Sequence, residues 1–292
     1  MKNPIRDIEL DELELLAPPK PFIKWVGGKR QLMNEIKANM PREFNNYFEA
    51  FVGGGAVLFE LKKENSFIND YNPELTNLYE IIKTKPKELL RDLKKHKNTE
   101  EYYYAMRALD RNPIQYRKLS KVKKASRFIY LNKTGFNGLY RVNKQGQNNV
   151  PFGRHKGPKL ADKDNIMACS KLLQTATITT GDFENIRTNV KKGDFVYFDP
   201  PYVPLNATSS FTAYTDKGFD DDMQFRLKEL CDYIDSIGAY FMLSNSYTDF
   251  ILDLYQDYTI KTVNANRAIN CKGSNRGKVK EVLVINYNPN EE

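Results

Sequence analysis

The tetrapeptide Asp199-Pro200-Pro201-Tyr202 follows directly on the apolar run Phe195-Val196-Tyr197-Phe198. A β-branched and aromatic run of that length, cut off by two prolines, predicts a buried strand that stops where its carboxylate emerges, because proline cannot continue a ladder. The product is a rigid turn at the carboxyl end of a strand, with Asp199 in a crevice and the ring of Tyr202 beside it. These groups suit attack by a weak amino nucleophile carried on a planar ring. The exocyclic amine of a nucleobase delocalises its lone pair, and acceptors for its two N–H bonds favour the tetrahedral nitrogen that attacks. Asp199 and the Pro200 carbonyl are such acceptors, and Tyr202 would stack on a base drawn out of its duplex. The plain alternative is a strand end with a proline turn and a solvated Asp. Four residues do not separate the two.

A strand-end carboxylate needs a sheet to hold it, and the flanking sequence alternates strands with helices. Gly27-Gly28 precede Lys29 and a helical pattern running to Met40; the glycines let backbone approach a ligand, although the rest of a phosphate-binding loop is absent. Tyr47 to Phe51 reads as a strand, Val52 to Gly55 as a tight turn and Ala56 to Lys63 as a helix. The next strand, Ser66 to Asn69, ends in Asp70, placed to take the hydroxyls of a ribose. A dinucleotide site stays open on these residues, but the glycines do not fit G-x-G-x-x-G. In the second half, strands are predicted at 176–180, 194–199, 239–244, 258–264 and 280–287, with helices at 220–237 and 247–256. The polar loop 204–219 is expected to close over a base, and the basic tract 264–280 to lie near phosphates. Residues 1–20 read as a short helix or loose arm.

Between the two halves, helical patterns cover 74–95 and 99–132, and the polar segment 134–154 follows. Its Asn-Gly and Gly turns predict a β-hairpin carrying Asn, Gln and Arg side chains suited to base edges. The chain has 292 residues and 45 Lys+Arg against 37 Asp+Glu, a net charge of +8 that permits a polyanionic partner. Three cysteines and two histidines without metal-ligand spacing predict neither a zinc site nor a disulfide framework. With no signal peptide or long apolar span visible, a cytoplasmic location is expected.

Taken in order, Pro-Phe-Ile-Lys-Trp-Val-Gly-Gly-Lys, Phe-Val-Gly-Gly-Gly-Ala, Asn-Asp-Tyr-Asn at 69–72, Phe-Asn-Gly-Leu-Tyr-Arg running to Asn-Val-Pro-Phe-Gly, and Asp-Pro-Pro-Tyr resemble the Dam-type (D12 class, alpha-group) adenine-N6 DNA methyltransferases, closest to the GATC methylases of restriction systems. The resemblance covers nearly everything after residue 20. It implies an α/β fold: a Rossmann-like S-adenosylmethionine-dependent methyltransferase domain (21–75 and 170–292), a mixed mostly parallel sheet with helices on both faces, and an inserted recognition domain (76–169). It implies S-adenosyl-L-methionine on Trp25, Lys29, Phe51, Gly53, Gly55, Asp70, Asp182, Phe183 and Asp199, without a metal. The target adenine would sit on Asp199, Pro200, Pro201 and Tyr202. Phe136, Asn137, Leu139, Arg141 and Pro151 would face the recognition site in double-stranded DNA, with Lys24 and Arg154 as further DNA contacts; His155, where relatives often have Tyr, is given no base contact. A monomer acting beside a cognate restriction endonuclease is expected. The rival readings are adenine-N6 transfer at another DNA site or on RNA, and a silent DNA-binding module.

Overall fold

The computed structural model describes residues 17–203, 219–266 and 278–290. Most of the expected arm, the polar loop and the basic tract therefore lie outside the described residues. The chain packs as two compact units. One comprises the chain up to Gly27, Gly53–Glu64 and Asn72–Ile178; the other comprises Gly28–Val52, Asn65–Tyr71 and the chain from Thr179 on. This interleaving is finer than the functional division expected at 75/76 and 169/170. Its cause is aromatic: Phe22 meets Phe59 and Tyr79 at ring distances of 5.7 and 5.0 Å, binding the segment after Gly53 to the helices.

Seven strands form one sheet: β1 (Tyr47–Glu49), β2 (Phe67–Asp70), β3 (Thr177–Thr180), β4 (Phe195–Phe198), β5 (Tyr240–Ser246), β6 (Thr259–Asn266) and β7 (Lys278–Ile285), in the order β3-β2-β1-β4-β5-β7-β6. β1 pairs in parallel with β2 and β4, and β4 with β5; β7 runs antiparallel between β5 and β6. This is the expected mixed, mostly parallel α/β sheet. Its strand order turns around between β1 and β4, so their carboxyl ends border a crevice. All four residues of β4 are fully buried, as a central strand covered on both faces requires. The helix Asp221–Ser236 buries Leu227, Leu230, Cys231 and Ile234 in the core that holds Val196 and Phe198.

The helical unit corrects the two long helices expected. Pro86 and Pro113 each take a first helical position, which cuts the patterns into Pro73–Thr84 and Pro86–Leu93, then Glu100–Ala108, Pro113–Lys118 and Lys121–Thr134. Asn72, Thr99, Asn112 and Ser120 cap four of these helices through their side chains. The expected hairpin is also different in kind. It consists of two isolated antiparallel bridges, Gly135 with Phe152 and Val142 with Asn148, and a 3-10 turn at Phe136–Gly138. Asn143 Oδ1 accepts from the backbone N–H of Gln145 and Gln147, beside the backbone bonds Asn143 N–H to the Gln147 carbonyl at 2.9 Å and Asn149 N–H to the Arg141 carbonyl at 3.0 Å.

Candidate active site

In the sheet unit, Asp199 emerges where β4 ends, as its two prolines dictate. Its Oδ1 lies 2.6 Å from Lys29 Nζ, and the lysine side chain is 6% exposed. Burial pushes the Asp199 carboxyl upward in proton affinity, Lys29 pulls it down and Glu281 adds to the rise; the net result is above the ordinary aspartate range. Lys29 Nζ also stands 4.7 Å from the centre of the Tyr202 ring. The Tyr202 hydroxyl donates to Glu281 Oε2 at 2.9 Å. Burial and the two carboxylates raise its pKa far enough to keep it a neutral donor. The turn is fastened to β5: Val203 N–H donates to Asn245 Oδ1 at 3.4 Å, and Ser246 Oγ donates to the Val203 carbonyl at 2.8 Å. Chemically, the constellation offers a carboxylate acceptor balanced by one ammonium, beside a ring held at both its hydroxyl and one face.

The other residues expected to hold a cofactor fall in two places. In the sheet unit, Asp70 closes β2, and its carbonyl accepts from Gly181 N–H at 3.0 Å. Asp182 follows β3, caps the short turn Phe183–Ile186 through Glu184 N–H, and meets Arg226 Nη2 at 3.1 Å. Phe51 and Phe183 lie 5.5 Å apart in one aromatic cluster with Phe198 and Phe219. Carboxylates at two strand ends with apolar rings between them suit the ribose and adenine of a nucleoside in kind. In the helical unit, Gly53 and Gly55 adopt φ of +47° and +68°, which only glycine takes cheaply. A Cβ on Gly53 would meet the Trp25 indole at 2.8 Å, and one on Gly55 would meet the Tyr79 hydroxyl at 2.6 Å. Trp25 in turn stacks with Tyr140 and Phe128.

The helical unit also gathers the expected base-reading residues. Phe136 is half exposed and Asn137, Arg141, Pro151 and Arg154 are exposed, while Leu139 is partly covered. Arg141 is not idle: its Nε donates to Asn149 Oδ1 at 2.7 Å and its Nη2 to the Asn149 carbonyl at 3.1 Å. Arg154 makes a loose, exposed pair with Glu100 at 3.4 Å. Lys24 joins this group through Asn132, whose Oδ1 accepts from Lys24 N–H while its Nδ2 donates to the carbonyls of Lys24 and Gly138. His155, given no base contact from sequence, bonds to the Gly135 carbonyl at 3.1 Å.

Sequence reasoning missed Glu281, Asn69 and Asn132. Asn69 is fully buried, and its amide reaches the carbonyls of Ala50, Gly181 and Asp182, tying three strand ends together. The signal for it was present, since a buried Asn in an apolar strand must find partners. Glu281 left no comparable trace. It lies in the first half of β7, opposite Ser246 at the end of β5, and it reaches that edge because β7 runs antiparallel to β5.

Among the described residues, no helix is long and apolar enough to cross a membrane, and no three His, Cys, Asp or Glu gather as metal ligands would. Residues 25–269 match the family described as D12 class N6 adenine-specific DNA methyltransferase. The chain is 45% identical over 272 residues to the Type II methyltransferase M1.LlaDCHI of Lactococcus lactis subsp. cremoris, covering 92% of this chain and 95% of that one. It is 44% identical over 289 residues to the Type II methyltransferase M.MjaIII of Methanocaldococcus jannaschii, covering 92% and 99%. A DNA adenine methylase of Vibrio cholerae is 33% identical over 271 residues, covering 90% and 95%.

Proposed function

The chain belongs to the D12 class of N6 adenine-specific DNA methyltransferases, and on that premise we propose that it methylates the adenine of GATC in double-stranded DNA, on a base turned out of the helix, within a restriction-modification system. S-adenosyl-L-methionine is the family's methyl donor and, when bound, supplies a methyl group already activated on a sulfonium. In this reading Trp25, Gly53 and Gly55, together with Lys29, Phe51, Asp70, Asp182, Phe183 and Asp199, are the donor's contacts. Asp199 and the Pro200 carbonyl accept the two N–H bonds of the target amine, Pro201 keeps the turn rigid, and Tyr202 stacks on the ring. Once methylated, the nitrogen must shed a proton. A carboxylate of raised proton affinity is a suitable acceptor.

The observation that carries this reading is the pair of buried Lys29 and partly exposed Asp199 at 2.6 Å beside Tyr202. Lys29 offsets the burial of Asp199, which favours a carboxylate that accepts rather than an acid that donates. Recognition of the site is assigned to Phe136, Asn137, Leu139, Arg141 and Pro151, with Lys24 and Arg154 on the DNA beside it. Arg141 must exchange its bonds to Asn149 for the acceptors of a guanine. The protein acts as a monomer on one strand at a time, without stable contact to the endonuclease that shares its site.

The test is expression in a host lacking DNA methylation, followed by single-molecule sequencing that reads N6-methyladenine across the genome. Marks confined to the adenine of GATC are expected. Marks at another motif would overturn the assigned site, and their complete absence would overturn the activity.

A further inference from the structure

We propose that Glu281 is a positioning residue for adenine methylation: by accepting from the Tyr202 hydroxyl it fixes the ring that stands beside the Lys29–Asp199 pair. The inference rests on the methyltransferase reading of the Asp199 turn and adds a residue that the Asp-Pro-Pro-Tyr motif does not contain.

Topology brings Glu281 to this place. β7 runs antiparallel to β5, so Glu281, in its first half, pairs with Ser246 at the end of β5 and with Val263 on β6. In a parallel strand the same position would lie at the opposite edge of the sheet. The residue is 8% exposed, and a carboxylate so placed is costly unless a donor meets it. The Tyr202 hydroxyl meets it at 2.9 Å. A residue serving only the sheet would find a donor in the sheet; this one draws its hydrogen bond from the ring of the motif turn. Tyr202 is thereby held at both ends of its function, its hydroxyl by Glu281 and one ring face by Lys29.

Lys29 pairs with Asp199, and Glu281 and the tyrosines Tyr47, Tyr197 and Tyr202 interact with it electrostatically, with Glu49 bonded to Tyr47 and Ser244 to Tyr197. The tyrosines stay neutral, since burial raises each of them well above its ordinary value. Among the residues that bear on the Asp199 carboxyl, Lys29 and Glu281 therefore remain as the opposed charges. Lys29 favours the carboxylate and Glu281 the protonated acid.

The experiment measures single-turnover methyl transfer to a GATC duplex against pH for the parent chain, Glu281→Gln, Glu281→Leu, Tyr202→Phe and the double variant Tyr202→Phe/Glu281→Leu. Gln keeps an acceptor for Tyr202 but loses the charge, so the acid limb should move to lower pH with a smaller loss of rate than in Glu281→Leu. Glu281→Leu and Tyr202→Phe should each lower the plateau rate roughly 10- to 100-fold, with KM for S-adenosyl-L-methionine unchanged, as loss of one buried charge-assisted hydrogen bond does. The double variant should be no slower than the slower single, because one bond is lost in all three. An unmoved acid limb in Glu281→Gln, or strictly additive losses in the double variant, would overturn the proposal. If Glu281→Leu does not fold, Glu281→Gln and Tyr202→Phe carry the test. A parent chain that transfers no methyl group at all would strike the underlying reading instead, before any variant is compared.

Discussion

At the scale of single residues, two charges of opposite sign meet at the end of β4, and each can be removed alone. Asp199→Ala should abolish methyl transfer, by at least the ~10²-fold that loss of a preorganised polar partner brings, while DNA binding persists in a gel-shift assay. Lys29→Gln takes away the group that holds the Asp199 carboxyl down. With burial and Glu281 left unopposed the pKa rises further, so the acid limb of the pH–rate profile should shift to higher pH, opposite in sign to Glu281→Gln. Asp199 and Tyr202 were legible in the sequence because two prolines after an apolar run leave a strand end no other course. The partners that tune them were not. Lys29 and Glu281 stand 170 and 82 residues away from Asp199, one on a 3-10 turn and the other on a strand paired with β5 and β6, and nothing in the spacing of either announces a carboxylate beside it.

At the scale of elements, caps and prolines decided where helices began, and buried polar groups decided how they sit. His96 shows the cost of one such group. Its ring stacks on Tyr130 at 4.5 Å, with Nδ1 at 3.1 Å from the Tyr102 hydroxyl and Nε2 at 2.9 Å from Ser126 Oγ. Burial lowers its pKa from 6.5 to about 4. A depressed folded value means that this contribution to stability is complete above about pH 6.5 and is lost as the pH falls through about 4. Partial exposure limits the loss to roughly 2 kcal/mol. Urea midpoints at pH 7 and 4.5 should separate in the parent and draw together in His96→Gln. In the segment 134–154, the Asn-Gly turn signal predicts a hairpin; the turn exists and backbone bonds cross the segment, but they form two isolated bridges rather than a continuous ladder. Arg141→Ala should relax discrimination at one guanine by about 1–3 kcal/mol when matched and mismatched duplexes are compared, whereas a uniform loss would mark a phosphate contact.

At the scale of the whole molecule, the alternation of strands and helices was readable and the sheet it forms followed, since parallel neighbours need crossover helices and a switch in strand order needs two ends of the sheet. Less readable was how the chain divides: the aromatic packing of Phe22, Phe59 and Tyr79 assigns the segment after Gly53 to the helices, and contacts between distant rings leave no periodic signal. Each Lys or Arg that neutralises a phosphate makes the affinity for DNA fall further with ionic strength. A plot of log affinity against log salt should fall linearly, and Lys24→Ala should reduce its slope by about 1. The 292 residues include a single tryptophan, Trp25, whose indole covers the bare backbone of Gly53 and Gly54 and is stacked with Tyr140. All indole emission from this protein therefore originates at one glycine turn, so the chain carries a built-in optical reporter there, and occupancy of that turn can be titrated by intrinsic fluorescence with no dye attached.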